Sequence, residues 1–313
     1  MIKRIIIALF SIFVLLSFIN CNKEEKKPQR SKEQIQWEKS ILEHRAKIQK
    51  EFKTADDSPF AGRKRITIKR DKPGYVTYFN DKFKFKKEKQ EGAIVKIYNK
   101  DGKWYFDRID KKFKLKKDEN FEFDTYEIKE DYLKCKFDRF TFVVYPLDNR
   151  LVFIVFDPEA KALKEFNGLN YYPPNYDYRV KAKFIIFKDK KQIEMVTSIN
   201  QIKTFYRYAK IEFEIKGKKR YLIGYKKDLS VKAPEAWIFI PFKDATSGKE
   251  TYGSGRFIEI KEPTSEEFIL DFNLAFNPLC NYSHVYNCAL PPEENYLDIP
   301  IEAGEKDYHK LHH

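Results

Sequence analysis

The sequence predicts a mainly β protein: antiparallel sandwich- or barrel-like sheets with an N-terminal amphipathic helix. Three observations carry that expectation. Phenylalanine and tyrosine are abundant, at 28 and 20 residues, and such side chains favour pleated, half-buried surfaces. Apolar and polar residues alternate with period two through much of the chain after residue 60, as strands with one buried face require. No strand–helix–strand alternation occurs, which argues against a doubly wound parallel sheet.

The first residues, MIKRIIIALFSIFVLLSFINC, place Lys3 and Arg4 before an apolar run from Ile5 to Ile19, followed by Cys21. That arrangement predicts an export signal over 1–20. The tripeptide before the cysteine resembles the lipobox of bacterial lipoproteins, with Phe18 where Leu is usual and Asn20 where Gly or Ala is usual. The resemblance implies lipidation of the Cys21 thiol. The alternative is an uncleaved signal anchor, because the apolar run approaches spanning length. Either way the body is expected outside the cytoplasm, anchored to a membrane on its periplasmic face or outer surface. Residues 21–30, rich in charge, read as a polar tether.

Ser31 and Gln34 form a capping-box pattern, and Trp37, Ile41, Ile48 and Phe52 recur at helical spacing, so 31–54 is expected as one helix packed on the body. Pro59 and Gly62 interrupt it. A basic β-rich section follows over 60–157. DKFKFKK (81–87) and DKKFKLKK (110–117) alternate apolar residues with lysine, and Asp101-Gly102 between them signals a tight hairpin. FVVYPLDNRLVFIVFD adds two strands around another turn.

Charge is unevenly spread. Residues 61–120 hold 20 Lys and Arg against 9 Asp and Glu, whereas 231–313 hold 7 against 14, so the formal charge of +14 is concentrated towards one end. Lysines on the outer face of half-buried strands explain the excess without a partner. An anionic surface or polysaccharide is the alternative. Nucleic acid is not expected as a partner of an exported chain.

A second β-rich section is expected over 163–308, with strands at 179–187, 211–215, 220–225, 237–242, 256–260 and 268–272. FNGLNYYPPNYDYRV before them is expected to be a packed crossing loop rather than an aromatic binding platform.

Chemistry-bearing motifs are incomplete. IPFKDATSGKETYGSGRFIEI leads into a strand pattern and lacks the glycine-to-helix transition and Gly-Lys-Ser/Thr of a phosphate-cradling loop. Gly253-Ser254-Gly255 is not a nucleophile elbow. Asp244, Thr246 and Ser247 either satisfy backbone groups in a long loop or contact a ligand. Only His44 and His284 fall inside the expected body, which leaves little for a Ser-His or Cys-His mechanism. Cys280, His284 and Cys288 share a four-residue spacing but lack a fourth donor, and no metal or cofactor is expected. A Cys280–Cys288 disulfide is the simplest expectation for an exported chain and would contribute roughly 2–3 kcal/mol; a reactive or redox-active thiol pair is the alternative. Cys135, sharing strand parity with Leu133 and Phe137, reads as a buried thiol.

FNGLNYYP, FKDATSGKETYGSGRF, LDFNLAFNPLCNYSHVYNCALPPEENYL and IEAGEK, in this order over 166–306, resemble the bacterial and archaeal domain of unknown function 1684 family. Leu274 stands where that family usually has Arg, Leu279 where it has a second Pro, and Ala289 where it has Pro. No activity comes with the resemblance, but it raises the weight of the matching polar residues. Asp244, Thr246, Ser247, Arg256, Asp271, Asn273 and Asn277 are therefore the candidate ligand-binding residues, brought together if the strands ending at Phe242 and Phe272 are neighbours. Carboxylates beside an arginine build either an ion-pair network or an anion-recognising pocket. The functional expectation is a membrane-anchored extracytoplasmic lipoprotein acting as a ligand-binding or envelope-interaction module. The alternative is a hydrolase-like enzyme built on Asp244, Arg256, Asp271 and Asn273.

Overall fold

A computed structural model describes residues 30–309. The expected export signal, most of the tether and Cys21 lie outside the described residues. The described residues divide into two units after Trp37. In the first, the capping box is formed: the Ser31 amide donates to Gln34 Oε1 at 2.9 Å and the Gln34 amide to Ser31 Oγ at 3.1 Å, starting helix α1 (Lys32–Thr54). Among the described residues no helix is long and apolar enough to cross a membrane.

All three sheets belong to the second unit, and every ladder is antiparallel. The basic section supplies two of them. One contains β1 (Gly62–Lys69), β6 (Lys114–Leu115), β8 (Leu133–Phe137), β9 (Phe140–Leu147) and β10 (Arg150–Phe156), in the order β1-β10-β9-β8-β6. The other contains β2 (Gly74–Phe79), β3 (Lys82–Lys86), β4 (Ala93–Lys100), β5 (Lys103–Arg108) and β7 (Thr125–Ile128), in the order β3-β2-β4-β5-β7. They share one core, in which Val76, Phe83 and Phe106 meet Phe142, Leu151 and Phe153. The Asp101-Gly102 hairpin joins β4 to β5, both residues taking positive φ as a two-residue turn requires. DKKFKLKK yields only the two-residue β6, because the Asp110 carbonyl accepts from the Phe113 amide and turns the chain there; Phe113 is still fully buried.

β9 and β10 bury both of their faces. Phe142, Val144, Phe153 and Val155 enter the shared core, while Val143, Val152, Ile154 and Phe156 point to the other side with Ala61 and Val285. Unbroken apolar runs such as RLVFIVF report this double burial, which alternation cannot supply.

The third sheet holds β11 (Arg179–Ile186), β12 (Gln192–Val196), β13 (Ile202–Ile215), β14 (Lys218–Lys226), β15 (Trp237–Phe242), β16 (Arg256–Lys261) and β17 (Glu267–Asp271), in the order β16-β15-β14-β13-β11-β17 with β12 also on β13. One face carries a core of Ile211, Leu222, Ile240, Phe242, Ile258 and Phe272. The opposite face carries Phe205, Ile223, Tyr225 and Phe239. After β17 the chain runs as loops and short 3₁₀ turns.

Gly255 makes the tight entry into β16. Its φ is +94°, and an added Cβ would stand 2.6 Å from the Phe242 carbonyl oxygen and 2.7 Å from Pro291 Cγ. Gly255→Ala is expected to cost about 2 kcal/mol or more through left-handed strain plus backbone contact. Gly102→Ala, at φ +81° with nothing within 4 Å, should cost only about 1–2 kcal/mol. Urea midpoints of the two variants check the order.

Candidate functional site

The polar residues marked by the sequence fall into two buried networks. In the first, Asp244 follows β15 and accepts from the Thr246 amide at 2.7 Å and the Thr246 hydroxyl at 2.5 Å. Ser247 Oγ accepts from the Asp244 amide at 3.1 Å. Arg256 opens β16, is 0% exposed, and donates from Nη2 to Asp244 Oδ2 at 2.8 Å and to the Ile301 carbonyl at 2.8 Å. Its Nη1 donates to the carbonyls of Ala303 and Glu305. A guanidinium removed from water is tolerated because a carboxylate and three carbonyls satisfy its two terminal nitrogens, Nε alone being left without a partner. The result is mechanical: segment 301–305, which forms no strand, is fastened to β16.

In the second, Glu305 accepts from the Tyr171 hydroxyl at 3.2 Å, the Tyr282 hydroxyl and the Asn277 amide at 2.8 Å. Burial pushes the Glu305 carboxyl up, and its three donors oppose that shift. Asn277 Nδ2 donates to the Lys306 carbonyl at 2.8 Å. Asn273 exchanges two 2.8 Å bonds with the Asn175 backbone and donates to Asp271 Oδ1 at 2.9 Å. Arg45 of α1 lies over the Tyr171 ring and donates to the Tyr172 carbonyl at 2.8 Å.

β15 and β17 are not neighbours. β17 pairs with β11 at the opposite end of the sheet, so Asp244 with Arg256 and Asp271 with Asn273 are not gathered into one pocket. Sequence reasoning also missed a buried pair: Lys226 Nζ lies 2.6 Å from Glu262 Oε2, with Tyr208 donating to the same carboxylate. Period-two alternation contains no signal for such a lysine.

A cavity of about 870 Å³ opens elsewhere, between the outward face of the third sheet and the second face of β9 and β10. Phe205, Tyr225, Phe239 and Phe257 form one wall; Val143, Tyr145, Ile154 and Phe156 form another. Phe52 and Ala55 close one side. The cysteine-bearing loop closes a further side with Pro278, Leu279, Tyr286, Asn287, Cys288 and Ala289. Phe205 and Phe239 stack at 5.4 Å, and Phe239 meets Phe257 edge-on at 4.7 Å. Trp237 and Tyr132, 56% and 53% exposed, also border this space and leave apolar surface in contact with solvent. Such a concave, apolar volume is of ligand size.

Charged groups in the cavity are few. Asp57 is engaged by Lys134 at 2.9 Å and by the Tyr132 hydroxyl at 2.6 Å, which, against the effect of burial, hold its carboxyl below the usual range. Glu259 lines the cavity from β16 with its side chain exposed, and the protein around its carboxyl pushes it up. Lys203 donates to the Asn287 carbonyl at 2.5 Å, and burial, with Arg65 and Lys227 nearby, lowers its ammonium pKa.

The expected disulfide is not formed. Cys280 and Cys288 are free thiols, and the Cys280 amide donates to Cys288 Sγ at 3.3 Å. The two sulfurs share a hydrogen bond in place of a covalent one. Cys280 is pulled down to about 6, first by the Cys288 thiol and, against burial, by the Ser198 and Tyr252 hydroxyls; Cys288 is pushed up. Cys135 lies fully buried on β8, where burial pushes its thiol up. His284 is exposed, and among the described residues no three His, Cys, Asp or Glu side chains gather as a metal group.

Fold and cleft together define a class: an antiparallel β protein in which two sheets and an irregular loop border an apolar cleft open to solvent. Residues 164–306 match the family described as "Protein of unknown function (DUF1684)", and the chain belongs to that family. The solution NMR structure of an uncharacterized protein from Haloarcula marismortui is 32% identical over 49% of this chain and 82% of that one, with a TM-score of 0.40. No curated protein matches the chain.

Two outcomes follow from the networks and the thiols. Arg256→Met leaves Asp244 buried without its cation and should cost about 3–5 kcal/mol in chemical denaturation. In reduced protein, alkylation of Cys280 by iodoacetamide should reach half its maximal rate near pH 6. Cys288→Ala should move that midpoint up towards the ordinary thiol range of about 8.5, read by mass spectrometry.

Proposed function

We propose that this protein is an exported, membrane-anchored lipoprotein that holds an apolar ligand in the cavity between its β sections. One observation carries the proposal: an open cleft of about 870 Å³ is walled on one side by Phe205, Tyr225, Phe239 and Phe257. Supporting it, the polar residues of the alternative, hydrolase-like reading are spent on one another and on backbone carbonyls. The tether would leave the cavity within reach of the membrane from which an apolar molecule is drawn. The Lys-rich face of the basic section would meet an anionic envelope surface or polysaccharide.

Export also supplies a route to the Cys280–Cys288 bond. The Cys280 thiolate attacks the disulfide of an exported thiol oxidant, releasing one of its thiols. Cys288, losing its proton, then displaces the second, so the oxidant leaves as a dithiol and the loop closes covalently. The cavity wall at Cys288 and Ala289 becomes a fixed shape.

The test is fluorescent uptake of N-phenyl-1-naphthylamine by full-length protein carrying Cys21→Ala, which should be released from the membrane fraction. Saturable uptake is expected, and Ala289→Trp, which fills the lumen from the loop side, should abolish it in protein of unchanged circular dichroism. No saturable uptake would overturn the proposal, as would uptake indifferent to the tryptophan.

A further inference from the structure

We infer that the ligand is a one-headed anionic amphiphile, an apolar body ending in a carboxylate or phosphate, with the head seated at Lys203. The inference rests on the cavity being a ligand site and names what that site selects. Three cations converge where the cysteine loop meets β13. Lys203 projects into the lumen, Lys227 lines its rim, and Arg65 stands beside them, donating to the Tyr145 hydroxyl at 3.2 Å and the Val285 carbonyl at 3.3 Å. Among the described residues none of the three has a carboxylate within ion-pair distance, whereas other part-buried cations such as Arg63, Arg108 and Lys134 do. Arg65 Nε is buried with no hydrogen-bond partner.

An unpaired ammonium beside a second and third cation, against apolar walls, is a costly arrangement unless an anion completes it. The carboxylates that share the lumen do not serve. Asp57 is held by Lys134 and Tyr132, and Glu259, exposed on β16, makes no ion pair with any of the three. Glu51 and Asp131 are exposed at the mouth. The remaining candidate counter-charge is the thiol pair, Cys288 acting on Lys203 more strongly than Cys280, and it disappears when the pair is oxidised. From Lys203 the aromatic surface of Phe205, Tyr225, Phe239 and Trp237 runs away across three strands, a track for an apolar chain rather than for a compact polar ion.

Displacement of bound N-phenyl-1-naphthylamine from oxidised, full-length protein by dodecanoate, dodecyl phosphate and dodecanol tests the inference. Either or both anions should displace the dye at concentrations at least tenfold below dodecanol, and which one does so identifies the head. Lys203→Met should bring that ratio close to one. Lys227→Gln, an exposed rim change that does not threaten folding, should reduce it about threefold, and 0.5 M salt should reduce it in the unaltered protein. Equal displacement by all three compounds would overturn the anionic head while leaving the cavity as an apolar site; so would a ratio indifferent to both lysine substitutions. Failure of the dye to bind at all overturns the ligand site itself.

Discussion

The architecture hangs on a buried guanidinium. Arg256 has no exposed surface, and its two terminal nitrogens reach Asp244 and the carbonyls of Ile301, Ala303 and Glu305. Desolvating such a group is costly, so the contacts must all form together or the arginine is left stranded. That condition sets where segment 301–305 lies. Glu305, delivered by that segment, receives Tyr171, Tyr282 and the Asn277 amide, and so fixes the start of the cysteine-bearing loop. The loop in turn closes the cavity. A single ion pair therefore acts at a distance on the shape of a space it does not touch.

The cavity arises from a second constraint. A sheet that buries only one face leaves no interior beyond its core, but β9, β10 and the third sheet are apolar on both faces. Two such outer faces must either pack directly or leave a cleft between them. Large, stiff aromatic rings and a proline-rich loop with its own hydrogen-bond scheme do not interdigitate to full density, and space remains.

Much of this was legible in residue order. Period-two alternation, the Asp101-Gly102 turn and the Ser31–Gln34 box announce strands, hairpin and helix start, and all six expected strands of the second section coincide with observed ones, only β12 being unforeseen there. Leu133, Cys135 and Phe137 pointed inward as their parity required. The candidate site was harder. Asp244, Thr246 and Arg256 were visible as chemistry, yet whether a carboxylate beside an arginine is open or filled depends on Ile301 to Glu305, some fifty residues away. Strand order is not legible either, so the sequence leaves open whether the strands ending at Phe242 and Phe272 are neighbours; the sheet order places them apart, although those two rings meet at 5.8 Å. The cavity had one signal, the unbroken apolar runs FVVY and LVFIVF, which mean two buried faces rather than one. Lys203 had none, because a lysine in alternation reads as solvent-facing until the opposite wall is known.

The division of labour between the two sections follows from this geometry. The family match covers 164–306, which contains the Arg256 and Glu305 networks, the aromatic wall and the cysteine loop. The facing wall of Val143, Tyr145, Ile154 and Phe156, together with Tyr132, Asp57 and the helix end at Phe52, lies outside that match. Arg65, the cation with an unpartnered Nε, lies outside it as well. The family portion thus builds a rigid half-container whose polar residues are consumed in holding its own loops. The Lys-rich portion, with β9 and β10 apolar on their outer face, provides the other half and part of its charge. What the cleft accepts is then set as much by the basic section as by the family motifs, and a chain pairing the same motifs with a different first section would present a different lumen.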